Sequence, residues 1–351
     1  MFVTVRSFAK INLGLRIGAL RPDGFHDLRT VYQTIALHDV VRVEVGRGSG
    51  IEIRCADPRV PKDESNTCCR IVERAMAALR ARGRVIVEIE KRLPVQGGLG
   101  GASSNAVAAL LALERAVKKS LSGAEGLRIA AEVGSDLPLF LVGGTVLGAG
   151  RGEEVYPLPD LPATPCVIAT PNIGVSTPKA FADWDALVAA VQRADSSADP
   201  PPLGMTSPRS VSNLTIADPS DRITKFGRVI TAWLSGSQTK SGKFYSGVPA
   251  SGRGRAETPL LDLVRTGIEN DFEQVVFPQY PELREVKRVL ERAEAFYASL
   301  SGSGSATYGL FGSREGAEKA AAKLRKDGIP ALATATLTRP QYWKKFPVSG
   351  F

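Results

Sequence analysis

The sequence predicts a two-domain α+β protein, for three reasons. At 351 residues the chain exceeds what one hydrophobic core usually serves. The alternation of Val85, Val87 and Ile89 runs into a glycine-rich stretch and then into an Ala/Leu/Val run over 106–117, the succession strand, loop, buried helix. After a long polar interval, helical and strand-like segments alternate again over 260–337, as in a second α+β unit. The expected division is an N-terminal domain over 1–165 and a C-terminal domain over 166–351.

Taken in order, residues 2–8 read as a strand running into Ala9-Lys10-Ile11-Asn12-Leu13, which sets Lys10 near a strand end among apolar neighbours. Lys10 there either snorkels to the surface or presents its ammonium to a phosphate or alkoxide. Arg21-Pro22-Asp23-Gly24-Phe25-His26 contains a Pro-Asp-Gly turn, in which proline fixes φ and glycine supplies the positive φ, and it delivers a ring and a histidine side by side. Residues 31–37, 40–45 and 51–54 read as short strands of one antiparallel sheet, and Ser65 or Asn66 caps a helix reaching about 82. A helix over 124–133 stops at Gly134-Ser135-Asp136-Leu137-Pro138, where the proline biases Leu137 away from helix and leaves Asp136 in a turn, as a cap for 137–140 on local grounds.

Strands are expected at 144–149 and 166–170 and a helix at 181–192. Residues 195–258, rich in Ser, Pro, Gly and basic side chains, read as a long flexible insertion, with a substrate lid as the alternative, and carry one weak helical patch at 223–234. Helices at 260–267, 281–295 and 315–326, strands at 307–311 and 331–337, and a second glycine loop, Ser301-Gly302-Ser303-Gly304-Ser305, complete the chain.

Composition narrows the function classes. With 43% hydrophobic residues but no apolar run of membrane-spanning length and no basic-apolar-small leader, a cytoplasmic globular protein is expected, without a membrane partner. The net charge of +9 suits an anionic ligand, yet the basic residues are scattered rather than clustered with aromatics, which argues against nucleic acid and against a non-enzymatic polyanion binder. Cys55, Cys68, Cys69 and Cys166 show no metal spacing and read as reduced thiols, buried in the core.

The central stretch is Pro94-Val95-Gln96-Gly97-Gly98-Leu99-Gly100-Gly101-Ala102-Ser103-Ser104. Glycines between a strand and a helix bring unpaired N–H groups and the positive end of a helix dipole to one point, where a polyphosphate can sit without a Cβ in the way. The alternative is a plain turn capped by Ser103 or Ser104. No Gly-Lys-Ser/Thr follows, so this is not a P-loop, and no acidic residue sits where a dinucleotide fingerprint needs one.

Lys10, the Gly97 to Ser104 loop and the Ser301 to Ser305 loop, in this order and spacing, resemble the GHMP kinase superfamily, over about 6–181 and 260–312. Arg-Pro-Asp-Gly-Phe-His points within it to the branch acting on a cytidine diphosphate conjugate. The resemblance implies an N-terminal ATP-binding domain of the ribosomal protein S5 domain 2-like type, ATP and Mg²⁺ as cofactors, and phosphorylation of an erythritol 2-hydroxyl. It implies Lys10 and Asp136 as the catalytic pair, Asp136 taking the hydroxyl proton and Lys10 keeping it ionised and stabilising the attacking oxygen. By the same resemblance residues 94–104 hold the ATP phosphates, Ser103 or Ser104 reaches phosphate or Mg²⁺, and Asn66 helps seat the adenosine. Asn12, Phe25, His26 and Phe181 meet the substrate, the two phenylalanines sandwiching the cytosine while the histidine bonds its edge. Ala102, Ser135 and Phe25 stand where the family commonly has glycine, alanine and tyrosine, and the 195–258 segment is longer than usual. A related kinase for homoserine, phosphomevalonate or a sugar would keep both glycine loops and lack the 21–26 signature.

Overall fold

The computed structural model describes residues 1–95, 97–197, 219–237 and 268–348; Gln96 and the helix expected at 260–267 lie outside them. Two long strands, β1 (Val3–Leu20) and β2 (His26–Gly46), replace the shorter ones expected from the sequence. They pair antiparallel along most of their length, from Val3 opposite Val43 to Leu20 opposite His26, with register shifts after Phe8, Asn12 and Ile17. The turn joining them is the Pro-Asp-Gly segment, with Gly24 at φ +80°.

β2 is the spine of a six-stranded sheet. Its residues 40–46 pair with β4 (Arg84–Glu90) and its residues 30–33 with β5 (Thr145–Ala149), while β3 (Ile51–Cys55) lies parallel to β4 and β6 (Glu154–Pro157) extends β5. Helices α1 (Thr67–Ala78), α2 (Gly101–Val117), α3 (Gly123–Val133) and α4 (Leu137–Val142) cover this sheet in one core with Val41, Val43, Val85, Val87 and Ile89. The alternation of β4 is the cause: Val85, Val87 and Ile89 are buried on the helix side.

The second sheet has the order β10 (Ala331–Ala335), β7 (Pro165–Ala169), β9 (Thr307–Leu310), β8 (Tyr297–Leu300), all antiparallel. Around it lie α5 (Thr177–Ser197), α6 (Pro219–Ser237), α7 (Glu273–Gln279), α8 (Pro281–Arg292) and α9 (Arg314–Lys326). β1 joins the two units, since Ala9, Ile11 and Leu13 pack with Cys166, Ile168, Tyr308 and Leu310. Lys10 and Asn12, one residue out of phase, therefore face the other way.

The helical patch expected inside 195–258 is α6, and it is packed: Phe226, Ile230 and Trp233 are buried with β1 residues, and Arg222 is ion-paired to the buried Asp271, while 198–218 and 238–258 lie outside the described residues. Burying Phe226 and Ile230 is worth about 1.5–3 kcal/mol each, which a free excursion would forgo. The chain also does not stay in its second half. After β10 it returns to the first sheet, where α10 (Arg339–Lys345) and the residue after it bury Tyr342 and Phe346 beside Phe8 and Phe140, and the Arg6 N–H donates to Phe346 O at 2.8 Å. Cys55, Cys68 and Cys166 are buried free thiols, and Cys69 is half-buried.

Candidate active site

Two cavities meet at the first glycine loop. The smaller, about 320 Å³, is lined by Pro61, Asn66, Lys91, Val95 and the loop through Ser103. The larger, about 720 Å³, is lined by Lys10, Asn12, Tyr32, Asp136, the Phe25-His26 pair and Phe181. Gly98, Gly100 and Ser103 belong to both walls.

The loop is held from beneath. Lys10 N–H donates to Leu99 O at 3.0 Å, and Gly100 occupies the N-cap position of α2 at φ +69° without any side-chain cap. A Cβ on Gly100 would lie 2.9 Å from Phe140 Cζ and 3.0 Å from Lys10 Cγ, so this glycine makes room for Phe140 and Lys10. α2 starts at Gly101, so Ser103 and Ser104 are in its first turn rather than capping it. Their roles divide. Ser104 is buried and its hydroxyl is bonded to that of Ser7 at 2.7 Å, which removes it from the expected phosphate contacts; Ser103 lines both cavities.

Pro94, Val95, Gly97, Leu99, Gly101 and Ala102 line the smaller cavity as the sequence suggests, whereas Gln96 falls outside the described residues. Asn66 also lines it, but its amide is spent on the protein. Oδ1 accepts from Cys68 N–H at 2.8 Å as the α1 cap, and Nδ2 donates to Pro61 O at 2.6 Å. Asn66 thus shapes the cavity wall by fixing α1.

The second glycine loop packs on the first, backbone to backbone. Ala306 N–H donates to Gly97 O at 3.1 Å and Ser301 Oγ to Gly98 O at 3.0 Å. A Cβ on Gly98 would lie 2.3 Å from Ser301 O, and one on Gly304 would lie 2.5 Å from Gly98 N. Asn270 supports this loop from below, donating to Leu300 O and Gly302 O at 2.9 and 2.8 Å.

Lys10 and Asp136, 126 positions apart in sequence, come together. Lys10 Nζ, on a 3% exposed residue, lies 3.4 Å from Asp136 Oδ2 and donates to Asn12 Oδ1 at 2.7 Å. Asn12 is in turn fixed by donating to Thr30 Oγ1 at 2.8 Å. Asp136 occupies the N-cap position just before α4 yet makes no side-chain cap hydrogen bond, so the local capping role does not hold. Its Oδ1 instead accepts from Tyr32 OH at 2.9 Å. Burial, with the charge of Asp136 close by, pushes the Tyr32 phenol well above its ordinary value, so it stays protonated and donates.

At the far end of the larger cavity the expected sandwich has a different arrangement. Phe181 lies one turn inside α5, and its ring stacks on His26 itself, 5.0 Å between centroids at 13°, with Phe272 edge-on behind it. Phe25 is half exposed, with the Arg151 guanidinium 4.9 Å from its ring centre. Sequence reasoning missed Tyr32, Arg151 and Asp185. Asp185 alone had a local signal, four residues after Phe181 on the same helix face.

The chain matches known proteins along most of its length. Residues 66–144 match the family model for the GHMP kinases N terminal domain and residues 257–329 that for the GHMP kinases C terminal domain. The 4-diphosphocytidyl-2-C-methyl-D-erythritol kinase of Solibacter usitatus is 36% identical over 323 residues, which is 92% of this chain and 85% of that protein. Its namesake from Acaryochloris marina is 32% identical over 92% of this chain and 91% of its own. A crystal structure of 4-(cytidine 5'-diphospho)-2C-methyl-D-erythritol kinase superposes with a TM-score of 0.65 at 27% identity, covering 95% of this chain and 98% of that one. Homoserine kinase from Cytophaga hutchinsonii superposes nearly as well, with a TM-score of 0.64 over 96% of this chain and 95% of its own, at 19% identity. The shared fold therefore leaves the substrate to be decided by side chains.

Proposed function

The chain belongs to the GHMP kinases, in the 4-diphosphocytidyl-2-C-methyl-D-erythritol kinase family, and on that premise we propose that it transfers the γ-phosphoryl group of ATP to the 2-hydroxyl of 4-diphosphocytidyl-2-C-methyl-D-erythritol. The observation that carries this reading is the pair of cavities with Gly98, Gly100 and Ser103 in common. A nucleotide in the smaller cavity would extend its phosphates across the start of α2, toward an acceptor held in the larger one.

Phosphoryl transfer leaves a protein mostly positioning and charge stabilisation to perform. Asp136 faces the larger cavity with Oδ1 fixed by Tyr32 and Oδ2 beside Lys10, so it can receive the acceptor proton as the new O–P bond forms and the bond to the leaving ADP breaks. Lys10 is anchored by Asn12 and offers its remaining protons to the attacking oxygen and the moving phosphoryl group. Among the described residues no cluster of three acidic, histidine or cysteine side chains gathers to hold a metal; Mg²⁺ would be held through the ATP phosphates, and Ser103, which lines both cavities, would be the side chain to reach it. Bound that way, it neutralises phosphate charge.

Release of ADP from purified protein, measured with the cytidine conjugate, homoserine, phosphomevalonate and galactose, tests the assignment. Turnover is expected with the cytidine conjugate. Turnover with homoserine or galactose alone would leave a GHMP kinase of different specificity.

A further inference from the structure

We propose that Asp185 sets the pyrimidine preference by fixing His26 in the tautomer whose free nitrogen accepts a hydrogen bond. The inference rests on the reading of the larger cavity as the cytidine site. An ionised carboxylate only accepts hydrogen bonds, so the 2.7 Å contact between Asp185 Oδ1 and His26 Nε2 places the imidazole proton on Nε2. A neutral imidazole carries one N–H, which leaves Nδ1 with its lone pair. Among the described residues no group donates to Nδ1, although His26 is 7% exposed and lines the cavity. Stacking on Phe181, whose own ring is braced edge-on by Phe272, fixes the imidazole plane, and the bond to Asp185 fixes its rotation within that plane.

The chemistry follows from what the two pyrimidines present. Cytosine carries an exocyclic amine where uracil carries a carbonyl. An accepting Nδ1 pairs with the amine and opposes the carbonyl lone pair to lone pair. Phe25, half exposed at the cavity, supplies apolar ring surface that any base can use, whereas Phe181 is taken up by His26 and Phe272, so the choice falls to the histidine and through it to Asp185.

The chain provides its own reference. It has two histidines, and His38 is held the opposite way: its Nδ1 lies 2.8 Å from Ala36 O, a carbonyl that can only accept, so in the neutral ring its proton is on Nδ1. Histidine-selective ¹⁵N NMR of the full chain at pH 8 therefore reads two rings, and the expected result is the proton on Nε2 in His26 and on Nδ1 in His38. Adding CDP should shift the His26 Nδ1 signal, and UDP should bind more weakly by on the order of 10-fold. Asp185→Leu, at a half-exposed position, should populate both His26 tautomers and reduce the CDP preference several-fold through affinity; Asp185→Glu should restore part of it.

A His26 proton on Nδ1 in the wild-type chain, a His26 signal indifferent to CDP, or the same CDP to UDP ratio in Asp185→Leu would each overturn the inference. Failure of the proposed kinase reaction is seen separately. If CDP binds and shifts His26 while the conjugate is not phosphorylated, the tautomer assignment stands and the reaction assignment falls.

Discussion

The two glycine loops are both built mostly from small residues and have different physical tasks. The first, around Gly97 to Ser103, opens a 17-residue helix and lines both cavities. The second, Ser301 to Ser305, joins β8 to β9 and spends its lack of side chains on contact with the first: Gly304 lies against Gly98, and Ser301 and Ala306 bond to the carbonyls of Gly98 and Gly97. Glycine in the first loop leaves room for the Lys10 stem beside a cavity; in the second it admits another backbone. What sits downstream decides the task, since a helix N-terminus collects N–H groups and a strand pairs them away.

Lys10 lies under both loops, its stem beside Gly100 and its ammonium 3.5 Å from where a Gly302 Cβ would be. The largest effects are therefore expected on the charge pair that the loops enclose. Asp136→Asn should lower kcat by on the order of 10²- to 10⁴-fold with ATP affinity retained, and Lys10→Ala should act alike. Steady-state rates with ATP binding by calorimetry check this; an Asp136→Asn enzyme near full activity would remove the base.

Next come the glycines that touch across the two loops. Gly98→Ala combines φ +76° with a Cβ overlapping Ser301 O and should cost about 2–4 kcal/mol of stability, against about 1–3 kcal/mol for Gly304→Ala. Because both variants break the same contact, the double variant should lose less than the sum. Additive losses in denaturant titrations would mean the loops do not depend on each other.

A smaller change separates strain from chemistry. Gly302→Ala, at φ +62° and 3.3 Å from Asn12 Oδ1, should cost about 1–2 kcal/mol of strain and lower kcat a few-fold by displacing the Asn12 and Lys10 bond. Smallest of all is the contrast between adjacent serines. Ser104→Ala should remove about 1 kcal/mol of stability with little change in KM for ATP, while Ser103→Ala should raise that KM at nearly unchanged stability. Equal KM effects would return Ser104 to the phosphate site.

The sequence carried more of the first loop than of its surroundings. The alternation of β4 and the Asn66 cap were legible because each is a local signal. The full length of β1 was not, because Lys10 and Asn12 interrupt its apolar pattern at positions that face the site and Gly14 interrupts it where Ile268 and Phe226 pack close. β2 hides its continuity behind the buried polar residues Gln33, Thr34 and Asp39, which bond Thr145, Gly144 and the Lys91 to Leu93 turn. Lys10 and Asp136 entered through a family resemblance, since local rules favoured a snorkelling lysine and a helix cap. Tyr32 and Asp185 act on partners 104 and 159 residues away, a pairing that only the folded sheet and α5 produce. α6 was underweighted because its apolar stripe sits in a Ser- and Pro-rich stretch, and its value comes from the surface of β1 it covers.

Lys10 and Asp136 are expected to direct the γ-phosphoryl group to the 2-hydroxyl of the cytidine conjugate. That carbon bears the methyl branch and no hydrogen. A ³¹P NMR spectrum of the wild-type reaction should show a new phosphomonoester resonance without three-bond P–O–C–H splitting, formed with ADP in equal amount and absent with Asp136→Asn on the same timescale. A split phosphomonoester resonance, or ADP formed with inorganic phosphate alone, would contradict the account.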